Sequence, residues 1–274
     1  MTRLMAFPFR LAAVDMDDTL LDPEKRVSAA NREALEQLRS RGCRVVLASG
    51  RRHENMVRFY HALGLDDFAV SCQGARVEHV RTGEILHQAV LSPPDSDRIF
   101  AGGRERGLTV IVWRKDGIFA AADSAWVGRY ASQTGGEPIQ FKAEGELRRA
   151  EAEKMVWVGE QTGLRPVMEA ARALCGGHVA LTDAHDWCLE FSDTGASKGE
   201  GLAAIARRTG VPREQVLAFG DGYNDVAMLQ WAGLGVAMAH GRESARRAAR
   251  KTSPPGDPGD ALGRSVAELL KEFE

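Results

Sequence analysis

Two acidic clusters carry the most chemistry in this chain. The first is Asp15-Met16-Asp17-Asp18-Thr19-Leu20-Leu21-Asp22, directly after the apolar run Leu11-Ala12-Ala13-Val14. Asp15 and Asp17, two positions apart off a strand end, can both turn towards one point. Carboxylates held that close repel unless a cation or a proton joins them. The segment is not an EF-hand loop, because its sixth position is Leu20 rather than Gly. The second cluster is Gly220-Asp221-Gly222-Tyr223-Asn224-Asp225, after Val216-Leu217-Ala218-Phe219. Gly220-x-Gly222 opens like a dinucleotide loop, but Asp225 stands where the third Gly belongs and would set an anion against pyrophosphate. A cation held by Asp221 and Asp225 is therefore the stronger reading.

Two further pieces suit a phosphate. Ser49-Gly50-Arg51 follows the apolar run Arg44 to Ala48 and offers a hydroxyl, a bare backbone N–H and a guanidinium. It is not a serine-hydrolase elbow, since Leu47 rather than Gly stands two before Ser49. Lys198 lies in Gly195-Ala196-Ser197-Lys198-Gly199 at a helix start, without the glycine spacing of a Walker A loop. Taken singly, Lys198 reads as a solvated residue and the first cluster as an acidic turn. Taken together, the four pieces supply hard oxygen ligands for Mg²⁺, donors for phosphate oxygens, a cation for developing charge and a nucleophile.

The elements that must position these residues alternate. Short apolar strands at Leu11–Val14, Arg44–Ala48 and Phe68–Val70 are separated by helical patterns, one capped by Ser28 and closed by Gly42, the next carrying Met56, Val57, Tyr60 and Leu63. This is the texture of a parallel sheet covered on both faces, where ligands bind beyond the carboxyl ends of the strands. From residue 76 the texture changes to hairpins at 76–88, 108–121 and 179–189, a strand at 154–158, and helices near 124–132 and 166–174. From Lys198 the first texture returns, with strands at 216–219 and 234–237 and a closing amphipathic helix from Ala261 to Phe273. The expected fold is α/β: a Rossmann-like parallel-sheet core of residues 1–83 and 190–274, interrupted by an inserted α+β domain of residues 84–189.

The whole-chain properties are consistent with this. The 274 residues suggest about two domains. Lys plus Arg is 36 against 38 for Asp plus Glu. Without a basic surplus the chain is not expected to bind nucleic acid through phosphate neutralisation, nor a membrane through a polybasic anchor. The longest uncharged run, Val226 to Gly241, is too short and too broken by Gly to span a bilayer. Cys43, Cys72, Cys175 and Cys188 form no CxxC pair and read as buried free thiols of a cytoplasmic protein.

Asp15-x-Asp17-x-Thr19-Leu20 followed by Gly220-Asp221-Gly222-Tyr223-Asn224-Asp225 resembles the haloacid dehalogenase (HAD) superfamily of aspartyl phosphatases. The place and size of the insertion resemble its Cof-type (IIB) group, in which a C2B cap interrupts the core, and the resemblance spans nearly the whole chain. It implies that Asp15 attacks phosphorus and becomes an aspartyl phosphate, and that Asp17 protonates the leaving oxygen and then activates water. It implies that Mg²⁺ binds the Asp15 carboxylate, the Asp17 backbone carbonyl and the Asp221 carboxylate, with Asp225 ordering the site. Asp18, Ser49, Gly50, Arg51, Lys198 and Asn224 would contact or surround the transferring phosphoryl group. The sequence departs from the group at Gln73-Gly74-Ala75 for Asn-Gly-Ala, at Met238-Ala239-His240-Gly241 for Met-Gly-Asn-Ala, and at the Pro-rich stretch from Thr252 to Asp260.

The leading expectation is a Mg²⁺-dependent phosphatase of small phosphorylated metabolites, phosphosugars by default, with the inserted domain choosing the substrate. A phospho-acceptor signalling domain uses similar parts but gives no reason for Asp17 beside the nucleophile. The same core could also serve a non-catalytic metabolite-binding protein or a phosphosugar mutase.

Overall fold

The computed structural model describes residues 7–134 and 137–273, apart from the side chains of 161–166 and 183. The chain divides into two compact units, residues 1–88 with 197–274, and residues 89–196. The strands are β1 (Leu11–Asp15), β2 (Arg44–Ala48), β3 (Phe68–Ser71), β4 (Arg76–His79), β5 (Ile85–Gln88), β6 (Thr109–Arg114), β7 (Gly117–Ala120), β8 (Ile139–Phe141), β9 (Lys154–Val158), β10 (Val179–His185), β11 (Cys188–Asp193), β12 (Val216–Gly220), β13 (Leu234–Ala237) and β14 (Lys251–Thr252). The α-helices are α1 (Ala29–Ser40), α2 (His53–Ala62), α3 (Pro93–Glu105), α4 (Ala125–Gln133), α5 (Glu144–Arg148), α6 (Gln161–Leu174), α7 (Lys198–Thr209), α8 (Val226–Trp231), α9 (Glu243–Ala248) and α10 (Ala261–Lys271).

In the first unit the sheet order is β14-β13-β12-β1-β2-β3-β4-β5. Neighbours from β14 to β3 are parallel, and β4 and β5 add an antiparallel edge. Alternation along β1 explains the two covered faces. Ala12 and Val14 join the cluster with Leu35 and Leu38 of α1, Met56 and Tyr60 of α2, and Val266 of α10. Leu11 and Ala13 join the opposite cluster with Leu202 and Ile205 of α7 and Met228 of α8. The chain moves one way from β1 to β3 and later the other way from β12 to β14. The switch point therefore falls between the ends of β1 and β12, where Asp15 and Asp221 emerge. Ser28 caps α1 as expected, its hydroxyl accepting from Asn31 N–H at 3.2 Å. Buried Tyr60 ties β2 to β3, accepting from Leu47 N–H and donating to the Phe68 carbonyl.

The second unit holds a six-stranded sheet, β10-β11-β9-β6-β7-β8, antiparallel except for β7 with β8. Its core gathers Ile99 and Phe100 of α3 with Val110, Val112, Met155, Trp157 and Phe191.

The unit boundaries lie at 88/89 and 196/197, five and seven residues after the expected 83/84 and 189/190. The hairpin from 76 to 88 has the texture of the insertion, but β4 pairs with β3 and carries β5 with it into the first sheet. At the other end, β11 runs on to Asp193, paired with β10. Among the described residues, no helix is long and apolar enough to cross a membrane.

Candidate active site

Asp15 of the first cluster meets Asp221 and Asp225 of the second beyond the ends of β1 and β12. Asp15, Asp221 and Asp225 each offer a carboxylate oxygen, and these atoms lie within 4.8 Å of one another. Among the described residues, the ammonium between them is that of Lys198, the first residue of α7, fully buried at 0% exposure. Its Nζ lies 2.5 Å from Asp15 Oδ1 and 2.6 Å from Asp225 Oδ1. The other oxygen of Asp225 accepts from the backbone N–H groups of Asp221 and Gly222, at 2.9 and 2.8 Å. Both Asp225 oxygens are thus committed to shaping the loop and holding the lysine. Gly220 permits this closure, because a Cβ there would lie 2.5 Å from the Asp225 carboxyl carbon. Thr19 donates a long hydrogen bond to Asp221, at 3.4 Å.

The electrostatics follow from three carboxylates around one ammonium. Burial and the neighbouring Asp225 carboxylate push Asp15 well above the usual carboxylate range, against the pull of Lys198. Burial, with Asp225 and Asp18 nearby, raises Asp221 to about 6. Burial disfavours the Lys198 charge, but Asp15 and Asp225 outweigh it and hold the ammonium above its ordinary pKa. A surplus of hard oxygen ligands that resist ionising together is the donor set a divalent cation relieves, so these residues fit a metal.

Asp17 lies apart from that cluster. Arg51 grips it with Nε to Oδ2 at 2.9 Å and Nη2 to Oδ1 at 2.6 Å, and Lys25 Nζ lies 2.8 Å from Oδ1. Burial alone would raise its pKa, but the hydrogen bonds from Arg51 and Lys25 prevail and bring it to about 2. Lys25 arrives through a tight turn at φ 62°, closed by Asp22, which accepts from the Lys25 and Arg26 N–H groups. Sequence reasoning missed Lys25, since its left-handed turn leaves no signature in residue type.

Ser49 is buried at the end of β2, its hydroxyl accepting from Arg51 N–H at 3.2 Å. Gly50 lies against the Gln73 side chain, and Gln73 Oε1 accepts from Asn224 Nδ2 at 2.9 Å. The structure therefore brings Asn224 to the Ser49–Arg51 loop through Gln73. Asp18 is exposed, with φ 60°, and its carbonyl accepts from His240 Nε2 at 2.7 Å. His240 was visible in the sequence only as a departure from the family pattern. Here it pins the loop that carries Asp17 and Asp18. Gly241 packs behind Asp221, where a Cβ would lie 2.7 Å from the Asp221 carbonyl oxygen.

Residues 12–263 match a family model described as haloacid dehalogenase-like hydrolase. An HMP-PP phosphatase of Enterobacter sp. is 30% identical over 234 residues, covering 84% of each chain. A 5-amino-6-(5-phospho-D-ribitylamino)uracil phosphatase of Bacillus subtilis is 27% identical over 271 residues, covering 96% of this chain and 97% of its own. The solved structure of a haloacid dehalogenase-like hydrolase from Bacteroides thetaiotaomicron matches with a TM-score of 0.84 at 26% identity, covering 95% of this chain and 99% of that one.

Proposed function

This chain belongs to the haloacid dehalogenase-like hydrolases and is a phosphatase of their Cof type, and from that premise we propose that it hydrolyses small phosphorylated metabolites with Mg²⁺, through an aspartyl phosphate on Asp15. The observation that carries the reading is the meeting of buried Asp15, Asp225 and Lys198 with half-buried Asp221 at the switch point of the sheet. The substrate class rests on the relatives, whose names include an HMP-PP phosphatase and a phosphoribitylaminouracil phosphatase. Phosphosugar-like metabolites remain the default within it. The free cysteines, three of them buried, suit a reducing compartment such as the cytoplasm.

In this reading an Asp15 oxygen forms the bond to phosphorus while the bond to the leaving oxygen breaks and that oxygen takes a proton from Asp17. Water then attacks the phosphorus of the aspartyl phosphate, Asp17 accepts its proton, and Asp15 leaves as a carboxylate. Ser49, the Gly50 N–H and Lys198 hold the phosphoryl oxygens, with Arg51 and Asn224 around them. The Asp15 and Asp221 carboxylates and the Asp17 carbonyl, with Asp225 ordering the site, would hold Mg²⁺, whose charge would offset the repulsion between these acids and a phosphate. Asp17 on its Arg51 and Lys25 partners is ionised, the state the second step needs. For the first step it must take up a proton as the incoming phosphate competes for Arg51.

Phosphate release from a panel of phosphorylated metabolites, with Mg²⁺ and with EDTA, tests the proposal for wild type and Asp15→Asn. Metal-dependent release that vanishes in the variant is expected. Equal release with EDTA, or from Asp15→Asn, would overturn it.

A further inference from the structure

Resting on the phosphatase reading above, we propose that Gln73 is a substrate-positioning residue whose side-chain amide donates a hydrogen bond to a phosphoryl oxygen held over the Ser49–Arg51 loop. The backbone at this point is unusual. After β3 the chain turns through Cys72 at φ 49°, Gln73 at φ 61° and Gly74 at φ 102° before β4 begins. Two successive non-glycine residues in the left-handed region are strained and persist only where their surroundings fix them. Here the surroundings are the site itself. Cys72 N–H donates to the Arg51 carbonyl at 2.8 Å and Gln73 N–H to the Ser49 carbonyl at 3.0 Å. Gly74 packs so closely on Ser197, the residue before Lys198, that a Cβ would lie 2.1 Å from its carbonyl oxygen. The turn therefore touches both the segment offering phosphate donors and the segment offering the lysine.

The strain aims one side chain. Gln73 Oε1 accepts from Asn224 Nδ2 at 2.9 Å, which fixes which end of the amide faces the Asp221–Asp225 loop. The nitrogen end is left over Gly50, where a Cβ would lie 2.7 Å from Nε2. A primary amide nitrogen carries two donors, and among the described residues this one makes no hydrogen bond. An oriented amide with free donors beside the Gly50 N–H lacks only an acceptor, and a phosphoryl oxygen supplies one. Glycine at position 50 leaves the room that the arrangement needs. A strut joining the two loops would need only the oxygen of the side chain. The uncommitted nitrogen is what points to a ligand.

Two variants separate the roles. Gln73→Glu keeps an oxygen to accept from Asn224 but replaces the donor with an anion. Gln73→Met keeps the length and removes both. With Mg²⁺ present, inorganic phosphate is titrated calorimetrically and as a competitive inhibitor, and kcat and KM are measured for the best substrate of the panel. The expected result is phosphate affinity lowered about 10- to 100-fold in Gln73→Glu and less in Gln73→Met. KM should rise more than kcat falls, at an unchanged thermal midpoint. Should Gln73→Glu not fold, Gln73→Asn takes its place, because it keeps the amide but shortens its reach, and the same direction is expected. Wild-type phosphate affinity in Gln73→Glu, or a loss confined to Gln73→Met, would overturn the inference. A wild type that binds phosphate yet hydrolyses no ester would overturn the proposed function, while the affinity ratios would still decide the role of Gln73.

Discussion

Asp15 and Asp17 are two residues apart and sit in opposite electrostatic surroundings. Around Asp15, three carboxylates share one ammonium, and both Asp15 and Asp221 are pushed up. Around Asp17, one carboxylate is held by two cations, and its pKa falls to about 2. The two acids share one strand end, but Asp15 meets Lys198 while Asp17 meets Arg51 and Lys25. The first pocket lacks positive charge and the second lacks negative charge. In the proposed function, a divalent cation would complete the first, and the phosphate of a substrate would compete for the second. In the proposed mechanism, charge balance more than residue type would separate the nucleophile from the acid–base residue at one strand end.

Asp15→Asn should lower phosphate release by at least about 10³-fold while leaving the circular dichroism spectrum unchanged. A smaller loss would mean that the acid-rich pocket does not house the nucleophile. Lys198→Met comes next. It removes the ammonium bound to Asp15 and Asp225 and leaves buried acids unpaired, a change expected to cost about 3–5 kcal/mol. Urea unfolding in EDTA would measure it, and Mg²⁺ should restore part of the loss. A variant as stable as wild type in EDTA would show that the acids do not depend on Lys198.

The pH dependence of stability should carry opposite signs in the two pockets. Asp221 has a folded pKa of about 6, above its ordinary value, so its contribution is fully present below about pH 4 and is lost as pH rises through 6. In EDTA the protein should therefore lose about 2 kcal/mol between pH 4 and 6. Asp221→Asn should flatten that slope, and saturating Mg²⁺ should as well. Asp17 behaves in reverse. Its lowered pKa gives stability present above about pH 4 and lost as pH falls towards 2. Its side chain is 37% exposed, which screens the effect to below about 1 kcal/mol. Lys25→Met, at the exposed side of that pocket, should change stability least, by about 0–1 kcal/mol. Unfolding curves at pH 3 and pH 7 would show whether the change disappears in acid, as a lost partner of Asp17 requires.

Much of the acid-rich pocket was readable because its residues follow continuous apolar strands. β1, β2 and β12 each end within one residue of Asp15, Ser49 or Asp221. Where those segments meet followed from the α/β alternation. The base-rich pocket was less legible. Arg51 was a candidate for phosphate, but its grip on Asp17 joins residues 34 apart, and Lys25 depends on a left-handed turn that its residue type does not announce. The same applies to Gln73. Buried Asn31 was also missed; its amide donates to the Leu20 and Gly259 carbonyls and its oxygen accepts from Gly263 N–H, bracing the acidic loop from behind. Helix α3 was hidden by Pro93-Pro94 at its start and Gly102-Gly103 within it. The glycines are there because a Cβ on Gly103 would lie 2.6 Å from Trp157 Nε1, so packing overrode propensity.

In the proposed mechanism phosphorus bonds to Asp15 during turnover. Acid-quenched single-turnover mixtures of wild type and Asp17→Asn, treated with hydroxylamine and mapped by mass spectrometry, test it directly. A hydroxamate on Asp15 is expected, accumulating further in Asp17→Asn, where hydrolysis of the intermediate would be impaired. Phosphate release by an enzyme whose Asp15 stays unmodified, or a hydroxamate on another residue, would contradict it.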